Sequence, residues 1–246
     1  MKYFTLYKFN EQNLPYHTRV ESILDADILI VVGGDGSIIE GTQYLVYNNC
    51  THVRILGINT GHVGFLSNNI DLADVFRILQ GDTARWPDYH FVKRKLLRVT
   101  SNKGIFFGIN EVVVHPSKFG SLLTTDILIN NVPVSYQGDG LIIATSYGST
   151  AYNLSAGGPI VMPELDSLCI TPISPFTMAS RPLVVPSDAK IQLLGTGGSV
   201  ASVDGVDIKD NKGVVELSDV TIEFIKTTSF MDDIQTKLGW NKNIKN

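Results

Sequence analysis

The sequence predicts an α/β domain followed by a β-rich one, and three observations carry that reading. In the first third, short runs that are apolar at every position alternate with helix-length stretches, the pattern of strands covered on both faces and joined by βαβ crossovers. Beyond Arg85-Trp86-Pro87, β-branched and aromatic runs follow one another through turn residues instead of helices, which suits a largely antiparallel half. A chain of 246 residues, 43% hydrophobic and 18% charged, has the material for a sizeable core and excludes disorder as its main state.

In order, the first domain reads as an apolar run at Tyr3 to Phe9, a helical stretch at His17 to Leu24 and a buried strand at Ile28 to Val32. A helix at Ser37 to Asn48 and a strand at Arg54 to Ile58 follow. Asp71 to Gln80 predicts one more helix, with Leu72, Val75, Phe76 and Leu79 at helical spacing, Asp71 near its start and Gly81 past its end. In the second half, Asn130-Asn131 and Asp204-Gly205 each separate two strand-like runs and predict hairpins. Gly148 to Gly158 is the exception, a short helix closed by Gly157-Gly158 and stopped by Pro159. The tail beyond Lys237 is short and polar.

Composition narrows the partners. Lys and Arg number 20 against 24 Asp and Glu, a net charge of −4, so no domain-wide basic field collects nucleic acid. No apolar run is long enough to span a membrane, and Met1 to Asn10 lacks the regions of a signal peptide, so the expected location is the cytoplasm. The two cysteines, Cys50 and Cys169, are far apart without Cys-x-x-Cys spacing and read as buried free thiols; no protein-held metal site is expected.

The chemistry concentrates where strands end in glycines. Gly33-Gly34-Asp35-Gly36 follows the strand Ile28 to Val32, at the end of an α/β strand where backbone N–H groups approach phosphates. An aspartate there repels phosphate, so Asp35 reads as a proton acceptor or a partner of a metal-bound phosphate, with a plain Asp-Gly turn as the bland alternative. Neither Gly-x₄-Gly-Lys-Ser/Thr nor Gly-x-Gly-x-x-Gly occurs, which disfavours a P-loop NTPase or an ordinary dinucleotide dehydrogenase. Gly57 to Leu66 is a second strand end that spills into glycines, a backbone pressed against a ligand or against the first loop, with His62 either a contact or a turn residue. Asn110-Glu111 lies inside the run Ile105 to Val114, where Glu111 needs solvent, a hydrogen bond or a polar cleft; a strand end or bulge is the alternative. Gly138-Asp139-Gly140 leads into Leu141 to Thr145 and then Gly148-Ser149-Thr150-Ala151-Tyr152. There Tyr152 suits stacking on a flat ring and Thr150 or Ser155 hydrogen bonding to it, or else capping and core packing.

Taken together these residues resemble the NAD kinases. Gly33-Gly34-Asp35-Gly36, Asn59 to Leu66, Asn110-Glu111, Gly138-Asp139-Gly140, Gly148 to Pro159 and Thr171 to Val184 stand in that family's order, over about Ile28 to Gly205. Gly-Gly-Asp-Gly alone is shared with diacylglycerol kinases, sphingosine kinases and phosphofructokinases; the Gly-Ser-Thr-Ala-Tyr to Gly-Gly-Pro block is characteristic of NAD kinases.

The resemblance implies a Rossmann-like α/β domain over 1–88, completed by 225–246, and a β-rich, β-sandwich-like domain over 89–224 that binds NAD. It implies that ATP or inorganic polyphosphate phosphorylates NAD to NADP, with Mg²⁺ or another divalent cation accompanying the donor, in a homodimer or homotetramer. Asp35 would take the proton from the adenosine ribose 2′-hydroxyl as it attacks the γ-phosphate, and Gly34 and Gly36 would shape the phosphate-facing loop. Asn110, Thr150, Ala151, Tyr152 and Ser155 would line the adenosine pocket, and Glu111 and Asp139 would lie toward the nicotinamide riboside. Asn59, Gly61, His62, Phe65 and Asn153 complete the nucleotide-binding set. Gln137 joins it, standing where many relatives carry an arginine or another residue that meets the second half of the substrate. A lipid or sugar kinase sharing Gly-Gly-Asp-Gly, or a catalytically silent NAD(P)-binding sensor, is the alternative.

Overall fold

The computed structural model describes residues 1–6, 19–59, 61, 64–80, 89–118 and 120–240. The chain divides into two compact units, Met1–Arg94 with Thr221–Asn246, and Lys95–Val220.

In the first unit β1 (Tyr3–Leu6), β2 (Ile28–Val32) and β3 (Arg54–Ile58) run parallel, with Tyr3 opposite Ile28 and Ile28 opposite Arg54. The end of β15 (Gly213–Lys226) joins as a further parallel neighbour, Phe224 opposite Ile55. Ile28 to Val31 are fully buried, as a run apolar at every position requires. Helix α1 (Asp35–Tyr47) connects β2 to β3, and α2 (Leu72–Gln80) lays Val75, Ile78 and Leu79 on a core of Ile28, Ile30, Leu56 and Ile225. The start of α2 is held by a reciprocal pair: Asp74 N–H donates to Asp71 Oδ1 at 2.9 Å and Asp71 N–H to Asp74 Oδ2 at 3.2 Å. Helix α4 (Phe230–Leu238) carries a capping box between Ser229 and Asp232 and stops at Gly239, whose φ is +70°.

Two expectations change here. Helix α1 opens at Asp35, not Ser37, because Gly34 takes the extended N-cap conformation and Asp35 enters the first turn, where the helix dipole favours an anion. The described part of the predicted helix at 17–24 holds only a 3₁₀ turn at Ile23–Asp25, opened by Ser22 accepting the Leu24 N–H, while Arg19 bridges to Tyr3. The rest of that stretch, the run beyond Leu6, Gly81, Arg85-Trp86-Pro87 and the tail after Trp240 lie outside the described residues.

The second unit is antiparallel. β6 (Glu111–Pro116), β9 (Gly140–Thr145), β10 (Ser167–Ile173), β11 (Leu183–Pro186), β13 (Ser199–Val203) and β14 (Val206–Asp207) form one sheet in the order β11-β10-β9-β6-β13-β14. β7 (Leu123–Ile129), β8 (Val132–Gly138), β12 (Ile191–Leu193) and the start of β15 build the other, where β4 (His90–Ser101) pairs with β15 and with β5 (Gly104–Gly108). Val112, Val114, Leu141 and Ile143 from the first sheet meet Ile127, Ile191 and Val215 from the second in one core, as in a sandwich. Both predicted hairpins turn at residues with positive φ: Asn130 and Asn131 at 49° and 68°, Asp204 and Gly205 at 47° and 82°.

The run Ile105 to Val114 is not one strand. It breaks at Ile109-Asn110, whose backbone N–H groups are taken by the Asp204 carboxylate instead of a neighbouring strand. The short helix at 148–158 is likewise two pieces, a 3₁₀ turn at Tyr147–Thr150 and a single α-turn, α3 (Tyr152–Ser155), parted by the non-helical backbone of Ala151. Cys50 and Cys169 are buried free thiols. Among the described residues no helix is long and apolar enough to cross a membrane.

Candidate functional site

The predicted site residues fall into two groups, one in each unit. In the first unit, β2 and β3 end beside one another, and each continues into a glycine loop. Gly33 has a φ of +154° and leaves no room for a Cβ against the Ser37 side chain, so the chain turns tightly into α1 and exposes Gly34 and Gly36. Asp35, in the first turn of α1, sends its half-buried carboxylate to the other loop: Oδ2 accepts the Phe65 N–H at 2.7 Å, and Oδ1 accepts those of Leu66 and Ser67 at 3.1 and 3.2 Å. A Cβ on Gly64 would fall on that carboxylate, so the glycine is what admits it. A carboxylate held by charge-assisted bonds to three consecutive amides has a fixed direction and keeps a lone-pair site on Oδ2 for a further donor.

Asn59 and Gly61 bond to each other, Nδ2 to the Gly61 carbonyl at 2.7 Å and the Gly61 N–H to Oδ1 at 3.1 Å, so Asn59 shapes its own loop. Phe65 lies 6.2 Å from Phe230, ring centre to ring centre. His62 lies outside the described residues.

In the second unit a cavity of about 680 Å³ opens over β6. Glu111, Val113 and His115, alternate residues of that strand, share the face that lines it, and Asp139, Tyr152 and Ser202 are among the other residues of the wall. Tyr152 is 45% exposed, an aromatic face set on the cavity and not in the core. Asp139 reaches it from between two glycines that cannot be enlarged, since a Cβ on Gly138 or Gly140 would meet the backbone of Ile173 or Val114.

Glu111 is buried on this wall with Oε2 lacking a hydrogen-bond partner. Burial, reinforced by the nearby Asp204 charge and only partly opposed by a hydrogen bond from the Tyr152 backbone, pushes its carboxyl up to about 8. It is therefore protonated at neutral pH and presents a donor as well as an acceptor, suited to hydroxyl or amide groups of a ligand.

The remaining predicted residues divide. Thr150 is half-buried, with its hydroxyl 3.4 Å from the Tyr147 carbonyl; Ala151 is half-buried and Ser155 exposed. Asn110 packs its backbone against Gly148, where no Cβ fits. Gln137, on β8, accepts the Phe176 N–H at its carbonyl at 2.8 Å and does not line the cavity. Asn153 is fully buried: its Nδ2 donates to the carbonyls of Ser149 and Pro159 at 2.9 and 3.0 Å, and its Oδ1 accepts from Thr171 Oγ1 at 2.6 Å. Its amide thus braces the Gly-Gly-Pro turn from inside, and it offers a ligand nothing. Among the described residues no group of three His, Cys, Asp or Glu is placed to hold a metal ion.

Sequence reasoning passed over Asp204, which supports Asn110-Glu111, and Lys226, Asp233 and Lys237, which stand behind the Phe65 loop. Asp204 had a signal, but Asp-Gly between two runs spoke only of a turn. Lys226 had a fainter one, a cation directly after the apolar pair Phe224-Ile225.

Residues 7–83 match the family model of the ATP-NAD kinase N-terminal domain, and 109–221 that of the ATP-NAD kinase C-terminal domain. The chain is 34% identical to an NAD kinase of Salmonella dublin over 251 residues, covering 95% of this chain and 83% of the relative. It is also 34% identical to one of Klebsiella pneumoniae over 252 residues, covering 94% and 82%. Among solved structures it resembles the yeast NADH kinase complexed with NADH, with a TM-score of 0.73 and 25% identity over 89% of this chain and 68% of that one. An NAD kinase from Archaeoglobus fulgidus in complex with ATP shares the fold over the whole of both chains, at a TM-score of 0.79 and 24% identity.

Proposed function

The chain belongs to the NAD kinase family, and from that premise we propose that Asp35 accepts the proton of the adenosine ribose 2′-hydroxyl of NAD while that oxygen takes the γ-phosphate of ATP. One observation carries this assignment: the Asp35 carboxylate is aimed by three backbone amides at the ends of two parallel strands, beside exposed glycine backbone. Phosphoryl transfer through a loose transition state depends mainly on alignment and charge neutralisation, and held reactants reach effective molarities of about 10⁵ M or more. One well-aimed carboxylate therefore suffices on the protein side to orient the attacking hydroxyl and take its proton.

The cavity of the second unit takes the nucleoside part of the dinucleotide in this reading. Tyr152 gives it an aromatic face, and Glu111 and Asp139 meet hydroxyl groups. A divalent cation would arrive on the phosphates of the donor. Both substrates are water-soluble nucleotides, in keeping with a cytoplasmic enzyme.

The test is to incubate purified protein with NAD, ATP and Mg²⁺ and to quantify NADP by a coupled dehydrogenase. Asp35→Asn lowers kcat by at least about 10²-fold, in the range of general acid–base groups, with NAD affinity within a few-fold. A variant as active as the parent removes Asp35 from its role. Phosphorylation of a lipid or sugar with NAD ignored would point to the wider Gly-Gly-Asp-Gly kinases, and dinucleotide binding without product to a sensor.

A further inference from the structure

Behind the loop that grips Asp35 stand two ammonium groups from the C-terminal segment. The peptide joining Gly64 to Phe65 gives its N–H to Asp35 Oδ2 at 2.7 Å and its carbonyl to Lys237 Nζ. The next peptide, Phe65 to Leu66, gives its N–H to Asp35 Oδ1 at 3.1 Å and accepts from Lys226 Nζ at 3.0 Å. Lys226 also donates to the Ser67 carbonyl at 3.1 Å, and Lys237 lies 4.5 Å above the Phe65 ring. Both ammonium groups share Asp233, at 3.4 Å from Lys226 and 3.0 Å from Lys237, and Thr228 Oγ1 donates to the same carboxylate at 2.9 Å. Each of the two peptides is thus held between an anion on its N–H side and a cation on its carbonyl side.

This arrangement is expensive if its purpose is only to dock α4. Lys226 and Asp233 are 4% and 5% exposed, and burial of the Lys226 ammonium lowers its proton affinity against the pull of Asp233. Well-packed apolar residues often serve a purely structural contact as well as a buried ion pair does. A cation on a peptide oxygen does something that packing cannot: it polarises the unit and strengthens the N–H on its other end as a donor. It also stops the peptide from rotating, and misplacement of a reacting group by 1 Å costs on the order of 10²-fold in rate.

We infer that Lys226 and Lys237 are positioning residues for Asp35, locking the two peptide units whose N–H groups aim its carboxylate; the inference rests on the reading of Asp35 as proton acceptor. Neither lysine reaches the substrate in this role, so their removal affects turnover and leaves substrate affinity alone.

The test is a steady-state series on the full chain, measuring NADP formation and thermal melting for Lys237→Met, Lys237→Arg and Asp35→Asn, and for Lys237→Met combined with Asp35→Asn. Lys237→Met lowers kcat about 10-fold with KM for NAD within about two-fold, and Lys237→Arg restores most of the loss. In the Asp35→Asn background Lys237→Met changes the residual rate by less than about two-fold, because no carboxylate is left to aim. Lys226→Met repeats the split at the buried position; should it fail to fold, the Lys237 series decides, since Lys237 sits in the last turn of α4. Full kcat in a folded Lys237→Met, an equal loss with and without Asp35, or a matching rise in KM overturns the inference. If Asp35→Asn itself keeps the parent kcat, the assignment of Asp35 fails first and the positioning role with it.

Discussion

Asp204 and Glu111 hold each other by a reciprocal pair of hydrogen bonds: the Glu111 N–H donates to Asp204 Oδ1 at 3.1 Å, and the Asp204 N–H donates to the Glu111 carbonyl at 3.0 Å. The same carboxylate takes the N–H of Ile109 at 2.7 Å and of Asn110 at 3.0 Å, so the break between β5 and β6 is closed by a side chain from the β13–β14 hairpin. Burial raises its carboxyl above the usual carboxylate range, and these three amides oppose that push only in part.

Removing that acceptor exposes the dependence. Asp204→Ala leaves three backbone donors without their partner and places alanine at a φ of 47°, so a loss of about 3 kcal/mol is expected in urea unfolding, read as a lower midpoint at unchanged slope. Asp204→Asn keeps an acceptor and tolerates the left-handed backbone, so it costs about 1 kcal/mol. Equal losses in the two variants would contradict this account of the break.

Glu111 gives the protein a pH signature. Its carboxyl sits at about 8 in the fold against an ordinary 4.5, so folding takes up a proton between those values. The stabilisation this supplies is complete below about pH 4.5 and is lost as pH rises through about 8. Glu111→Gln, neutral at every pH, gains on the parent as pH rises from 5 to 9, by about 2–4 kcal/mol across that range. Unfolding curves at the two ends measure it; a constant difference would mean that Glu111 is already ionised in the fold.

These two residues also show where the sequence is readable. The buried strand Ile28–Val32 and the Asn130-Asn131 and Asp204-Gly205 hairpins follow from local rules, apolar continuity and residues that accept positive φ. Glu111 was legible as a carboxylate in an apolar run, and Asp35 as one among glycines, because each violates its local pattern. What stayed hidden is long-range. Asp204 reaches back 93 residues to Glu111, and Lys226 161 residues to Phe65, and no local periodicity encodes such pairs. Asn153 misled for the opposite reason, since an amide in a motif rich in polar residues suggests a ligand, while the structure uses it to brace a turn.

Tyr152 separates binding from folding. Its ring is exposed on the cavity wall, so truncation removes little from the core. Tyr152→Ala is expected to weaken NAD binding by about 1 kcal/mol, roughly five-fold in Kd by calorimetry, with the melting temperature nearly unchanged. An unaltered Kd would mean that the nucleoside does not stack there.

Gly64 offers a way to disturb Asp35 without touching it. A Cβ at residue 64 overlaps the Asp35 carboxylate, so Gly64→Ala must push the acid off the Phe65 and Leu66 amides or move the loop itself. Either shift spoils the direction of the acid while its charge remains, and a displacement of that size costs on the order of 10²-fold in kcat. Gly197→Ala is the companion, because nothing stands within 4 Å of the added methyl. The Gly64 variant should approach Asp35→Asn in turnover and keep NAD affinity, and the Gly197 variant should match the parent in both. If Gly64→Ala turned over at the parental rate, the orientation of Asp35 would not matter to catalysis, and the strict aim given by three amides would need another explanation.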